Sequence, residues 1–94
     1  MALFYYPYPA DNGKNKYYII TNTGKKVYFG ALGYEDYTIH NDPIRKARYI
    51  ARHKNNENWT KRGINMAGFW SRWLLWNKPT LKASYNDIKS RFLS

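Results

Sequence analysis

"KYYIITNTGKKVYFG", Lys16 to Gly30, is the stretch on which the fold class turns. It holds two runs, "KYYIIT" (16–21) and "KKVYFG" (25–30), both dense in β-branched and aromatic residues, the types that pack well on a pleated sheet. Asn22-Thr23-Gly24 separates them with turn chemistry, and the pattern predicts a β-hairpin. A two-stranded hairpin alone is marginal in water. The reading therefore requires a third strand, for which residues 2–6 are the candidate, or a helix against one face.

Upstream, "LFYYPYP" (3–9) is aromatic and extended, but Pro7 and Pro9 have no backbone N–H to give to a ladder. The segment is thus expected as an edge strand or an arm. "ADNGKN" (10–15) is a turn, since Asn-Gly favours positive φ. The expected organisation is an extended N-terminal arm over 1–15 and a single small domain over 16–94.

Downstream, "GALGYEDYTIHND" (30–42) reads as a loop that ends in a helix start, with Asp42 as N-cap and Pro43 at the first helical position. The helix is expected to run from Pro43 to about Asn55. Ile44, Ala47, Ile50 and Ala51 give it a narrow apolar stripe, and Arg45, Arg48 and Arg52 share a neighbouring face. "NNENWTKRGIN" (55–65) is a polar connector interrupted by Trp59. A second helix is expected over Met66–Trp76, apolar through Met66, Phe69, Trp70, Trp73, Leu74 and Trp76, with Ser71 and Arg72 opposite. Pro79 disfavours helix at Lys78. Thr80 then caps a third helix to Phe92, with Leu81, Tyr85, Ile88 and Phe92 on one face. The fold class is α+β: a small N-terminal β-hairpin or three-stranded antiparallel sheet followed by about three short helices.

Composition narrows the function. The 94 residues suffice for one domain with a modest core. Aromatics at 19% compensate, because each ring buries a large area. The absence of cysteine excludes disulfides, thiolate metal sites and cysteine nucleophiles. No apolar run approaches the roughly 20 residues of a membrane span. The net charge of +10 is uneven: residues 1–42 balance, with four Lys against four acids, whereas residues 43–94 hold twelve basic groups against Glu57 and Asp87. Such asymmetry points to a polyanionic or acidic partner.

Catalysis finds little support. The six acids are scattered, and no P-loop, GxSxG or GxGxxG pattern occurs. His40 and His53 match no metal-ligand spacing; His40 is expected to bond loop backbone and His53 to sit near the helix end. The chain is read as non-enzymatic, with no cofactor, no metal and no small-molecule substrate. The expected anion or partner contacts are Arg45, Arg48, Arg52, Lys61, Arg62 and Arg72. No acid lies between Pro43 and Asn56 to balance the arginine face, and arginine grips phosphate or carboxylate with a two-pronged fork. "GFWSRWLLWNKPTL" (68–81) holds three of the four tryptophans; Trp59, Trp70 and Trp76 are the expected aromatic interface, and Trp73 is expected in the core.

The order "VYFG…GYEDYTIHNDP", "R…RYIARH", "NW" and "GFWSRWLLWNKPTL" resembles a family of short, basic, uncharacterised proteins encoded by large DNA viruses of algae and protists. The resemblance covers roughly residues 25–82. It brings no activity, cofactor or catalytic residue, but it implies a viral origin. That origin makes a structural virion component the leading expectation: a minor capsid protein binding other capsid proteins, located in the virion and in the host cytoplasm during assembly. The basic half would face acidic capsid surfaces, an anionic inner membrane surface or packaged nucleic acid. The alternative is a basic nucleic-acid-binding module associated with the viral genome.

Overall fold

A computed structural model describes residues 3–93. It shows a three-stranded antiparallel sheet followed by helices. The strands are β1 (Tyr8–Pro9), β2 (Asn15–Ile20) and β3 (Lys26–Ala31), in the order β1-β2-β3. The β2–β3 pairing sets Tyr17 against Phe29, Tyr18 against Tyr28 and Ile19 against Val27. The hairpin expected from Lys16–Gly30 is therefore present, each strand shifted by one residue. Its turn is closed by bonds from Thr21 N–H to the Lys25 carbonyl and from Gly24 N–H to the Thr21 carbonyl, both 2.8 Å. Gly24 sits at φ +87°, a conformation that suits glycine.

The third strand lies at Tyr8–Pro9, not at residues 2–6. Its register sets Tyr8 opposite Tyr18 and Pro9 opposite Tyr17. Proline is tolerated there because β1 is the sheet edge. The described part of the 1–15 arm thus folds back onto its own domain, and Tyr5 N–H also donates to the Ile20 carbonyl at 2.8 Å. Residues 1, 2 and 94 of the expected arm and domain lie outside the described residues.

The loop expected over 30–42 contains a short helix, α1 (Tyr37–His40). Asp36 caps it, accepting from Thr38 N–H at 2.9 Å, and Asn41 ends it in the left-handed region at φ 52°. Helix α2 (Pro43–His53) starts where the sequence places it, with the Asp42 carboxylate accepting from Ile44 and Arg45 N–H. A single 3₁₀ turn, Lys61–Gly63, interrupts the connector. Helix α3 (Ala67–Trp70) continues through a π-helical stretch, Ser71–Leu75, in which Trp76 N–H reaches back five residues to the Ser71 carbonyl. Helix α4 (Leu81–Ile88) is capped by Thr80 and also runs on as a π-helical stretch, Lys89–Leu93.

The core joins one sheet face to α3 and α4: Ile19, Phe29, Phe69, Trp70, Leu74, Leu75 and Ile88. Leu81, Tyr85 and Phe92 pack against it, as the α4 spacing predicts. The tryptophan stretch winds differently from the expectation. Met66 is 63% exposed, whereas Leu75 is buried. The widened π step rotates Leu75 inward, so the stretch does not follow a 3.6-residue stripe. Helix α2 departs further. Ile44, expected on the apolar stripe, is 64% exposed, and Ala47 and Ala51 are exposed, while Tyr49 is the buried residue of this helix at 6%. The buried Tyr49 ring stacks on Trp76, Trp59 and His53, and these contacts fix which way the helix faces.

Candidate functional site

Tyr49 anchors α2 through ring stacking. Its ring lies 4.5 Å from that of Trp76 at an interplanar angle of 3°, 4.4 Å from His53 and 6.3 Å from Trp59. Burial raises the Tyr49 phenol far above the ordinary tyrosine range, so it stays neutral. With this face turned inward, Arg45, Arg48 and Arg52 fall on one side of an open groove of about 620 Å³. Lys16, Gly30 and Tyr34 line it from β2, β3 and the following loop; His53, Glu57, Leu75 and Trp76 also contribute. The volume is that of a ligand-sized cleft.

Each acid of the groove has one nitrogen partner, and Glu57 Oε2 is buried with no hydrogen-bond partner among the described residues. Lys16 Nζ lies 2.6 Å from Asp36 Oδ2, and this pair is largely buried, with the two side chains 14% and 4% exposed. Arg45 Nη1 lies 3.3 Å from Glu35 Oε1, and His53 Nδ1 3.2 Å from Glu57 Oε1. Arg48 and Arg52 have no hydrogen-bond, ion-pair or ring partner among the described residues. They stand one helical turn apart, a spacing that brings side-chain bases to about 5–6 Å.

The other expected contacts lie elsewhere. Lys61 and Arg62 are exposed on the 3₁₀ turn and do not line the groove. Arg72 is not a surface contact. It donates to the Trp76 carbonyl at 2.7 Å and lies over the rings of Trp59 and Trp73, at 5.5 and 4.5 Å. Its pKa is lowered by burial. The i to i+4 reach from Arg72 to its own helix end explains the difference: the guanidinium closes the helix and fills an aromatic slot.

Trp70 is likewise not an interface residue. It is fully buried, and its indole N–H donates to the Ile64 carbonyl at 2.7 Å. The domain has interior enough for it because α3, α4 and the sheet close around one layer of rings. Trp59 and Trp76 are half-buried, with ring faces taken by Tyr49. Trp73 is half-buried against the core, where Arg91 also covers it. His40 Nδ1 accepts from Asp42 N–H at 2.9 Å, the loop-backbone bond expected of it, and His53 is the last residue of α2. Among the described residues no cluster of three His, Cys, Asp or Glu side chains is placed to hold a metal ion, and no helix is long and apolar enough to cross a membrane.

Sequence reasoning missed Lys16, Tyr34, Glu35 and Asp36 as groove residues. The His53–Glu57 spacing of four was the one available signal. The Lys16–Asp36 and Glu35–Arg45 contacts depend on the path of the β3–α1 loop, which no local pattern encodes.

The chain folds as a small α+β domain with an arginine-lined groove. Residues 8–53 match a family of unknown function (DUF5754). The match runs from β1 to the end of α2, so it takes in the sheet and the arginine face, while α3 and α4 lie beyond it. No curated protein sequence and no solved structure matches the chain.

Proposed function

We propose that this protein is a non-enzymatic structural component of the particle of a large DNA virus, a minor capsid protein that binds larger capsid subunits and presents its arginine-lined groove to an anionic partner. The observation that carries the reading is the commitment of every acid. Asp11 bonds Tyr28 and Lys26, Glu35 pairs with Arg45, and Asp36 caps α1 and pairs with Lys16. Asp42 caps α2, Glu57 pairs with His53, and Asp87 holds Asn77 and Arg91. Apart from Glu57 Oε2, which is buried with no hydrogen-bond partner among the described residues, the carboxylates are engaged within the fold, and this supports a binding role over general acid–base or metal-assisted chemistry. Exposed Leu3, Phe4 and Tyr6 at the β1 edge supply apolar surface for a neighbouring subunit. The viral assignment rests on the resemblance across residues 25–82.

A second reading, a nucleic-acid-binding module on the viral genome, is favoured by the two unpaired arginines. The readings are compatible in one molecule, since a protein beneath a shell touches both shell and genome.

The test is quantitative mass spectrometry of purified particles stripped first with detergent and then with salt. Retention with the shell at high copy number is the expected result. Absence from particles, or trace amounts only, overturns the structural role.

A further inference from the structure

Resting on the genome-facing reading, we infer that the groove is a binding site for single-stranded nucleic acid, in which Arg48 and Arg52 hold backbone phosphate and Tyr34 stacks a base.

Charge pairing comes first. Of the Lys and Arg side chains lining the groove, Lys16 and Arg45 are already matched by carboxylates, whereas Arg48 and Arg52 have no partner for their donors among the described residues. Each guanidinium carries five N–H donors in a fixed fork. A carboxylate has two oxygens and fills one fork. A phosphodiester backbone offers repeated oxyanions along its length, so two guanidiniums one helical turn apart can each take phosphate oxygens from a single strand.

The aromatic rings decide what else binds. The other rings are already engaged: Tyr49 stacks on both His53 and Trp76, Trp76 also meets His40 at 5.3 Å, and Trp59 meets Tyr49 and the Arg72 guanidinium. Tyr34 differs. It lines the same groove from the loop after β3, is 73% exposed, and has no ring partner among the described residues. A tyrosine held open at the edge of a basic cleft is the pairing that single-strand binders use: cations track the backbone while a ring accepts any base on its π-face. Bases in a duplex are stacked on each other and cannot reach such a ring, so the site prefers an unpaired strand. Reading by stacking alone makes it tolerant of sequence.

The experiment is fluorescence anisotropy of a labelled oligo-dT over a salt series, with the full-length protein, three variants and a duplex of equal length. Removing Arg48 and Arg52 together (Arg48→Gln, Arg52→Gln) reduces the slope of log K against log salt by about 1.4, two phosphate contacts on a single strand. Tyr34→Ala weakens binding by about 5- to 150-fold, the loss of one stacked base, and leaves the slope unchanged. Lys61→Gln with Arg62→Gln removes the same charge away from the groove and changes the slope by less than the groove pair does. Circular dichroism checks that each variant is folded; Arg48, Arg52, Tyr34, Lys61 and Arg62 are all exposed, so the three variants are expected to fold. If the oligonucleotide binds but the groove and control pairs behave alike, or Tyr34→Ala is neutral, the site is refuted while the genome-facing reading survives. If no oligonucleotide binds, both fall. Binding to anionic phosphatidylglycerol vesicles without binding to oligo-dT overturns the inference in favour of a membrane surface.

Discussion

Tyr49→Ala tests the orientation of α2, on which the groove depends. Tyr49 is 6% exposed and stacks against Trp76, Trp59 and His53. Truncating a buried aromatic side chain costs about 3–5 kcal/mol, and each lost ring pair adds its share to that figure. The expected loss is about 4 kcal/mol. Ile44→Ala is the control. Ile44 lies on the same helix and belongs to the stripe that looks apolar in the sequence, yet it is 64% exposed. Its truncation should stay within about 0.5 kcal/mol. Urea denaturation followed by far-ultraviolet circular dichroism measures both without relying on the tryptophans near Tyr49. A domain of this size has about 5–15 kcal/mol in total, so Tyr49→Ala leaves little margin. Tyr49→Leu, which keeps part of the apolar contact, provides a measurable intermediate. An Ile44→Ala cost equal to or above that of Tyr49→Ala would mean that α2 faces the other way and that the arginines do not border the groove.

Asp36→Ala removes both the α1 cap and the partner of a largely buried lysine, and should cost about 3 kcal/mol in the same assay; Asp36→Asn, which still caps, should cost about half as much. Equal costs for the two would remove the cap from the argument. Gly63→Ala would drive a Cβ into the Asn58 carbonyl oxygen, a clash with backbone that cannot swing aside, so a loss of about 1–3 kcal/mol is expected and a neutral result contradicts the described connector. Burial works to raise the pKa of Asp87, but hydrogen bonds from Asn77 and Arg91 outweigh it, and the folded-state pKa lies below the ordinary value of 3.8. The ionised form is therefore favoured in the folded state. Its contribution is complete above about pH 5 and is lost as pH falls below about 4. The melting-temperature gap between wild type and Asp87→Asn should close on acidification, and a gap that widens refutes the sign.

The hairpin, the Asp42-Pro43 helix start and the Thr80-capped helix were legible because each rests on local chemistry: β-branched runs about a turn, a carboxylate over free N–H groups, a spacing of apolar residues. The faces of α2 and α3 were not. On α2 the pattern of Ile44, Ala47, Ile50 and Ala51 is real, but one tyrosine stacked on a tryptophan 27 positions away outweighs it. On α3 the π-helical step changes the angle per residue, so Leu75 turns inward, while Met66 is the extended N-cap that precedes the helix and stays outside. Trp70 and Arg72 were misplaced for a different reason: Trp70 bonds Ile64 in the preceding connector, and Arg72 turns back to its own helix end at Trp76 and onto the distant ring of Trp59. The arginine face was readable from the missing acids between Pro43 and Asn56. The opposite wall was not, since Lys16, Tyr34 and Asp36 reach it through the fold of the sheet and its following loop.

The most direct measurement is site-specific photo-crosslinking in intact particles, with p-benzoylphenylalanine in place of Tyr34 in the groove or of Asn22 at the exposed β2–β3 turn. The predicted result is capture of a defined particle component, a capsid subunit or the nucleic acid, from position 34 and not from position 22. Equal capture from both positions, or none from position 34 in particles that contain the protein, would contradict the groove as the contact face.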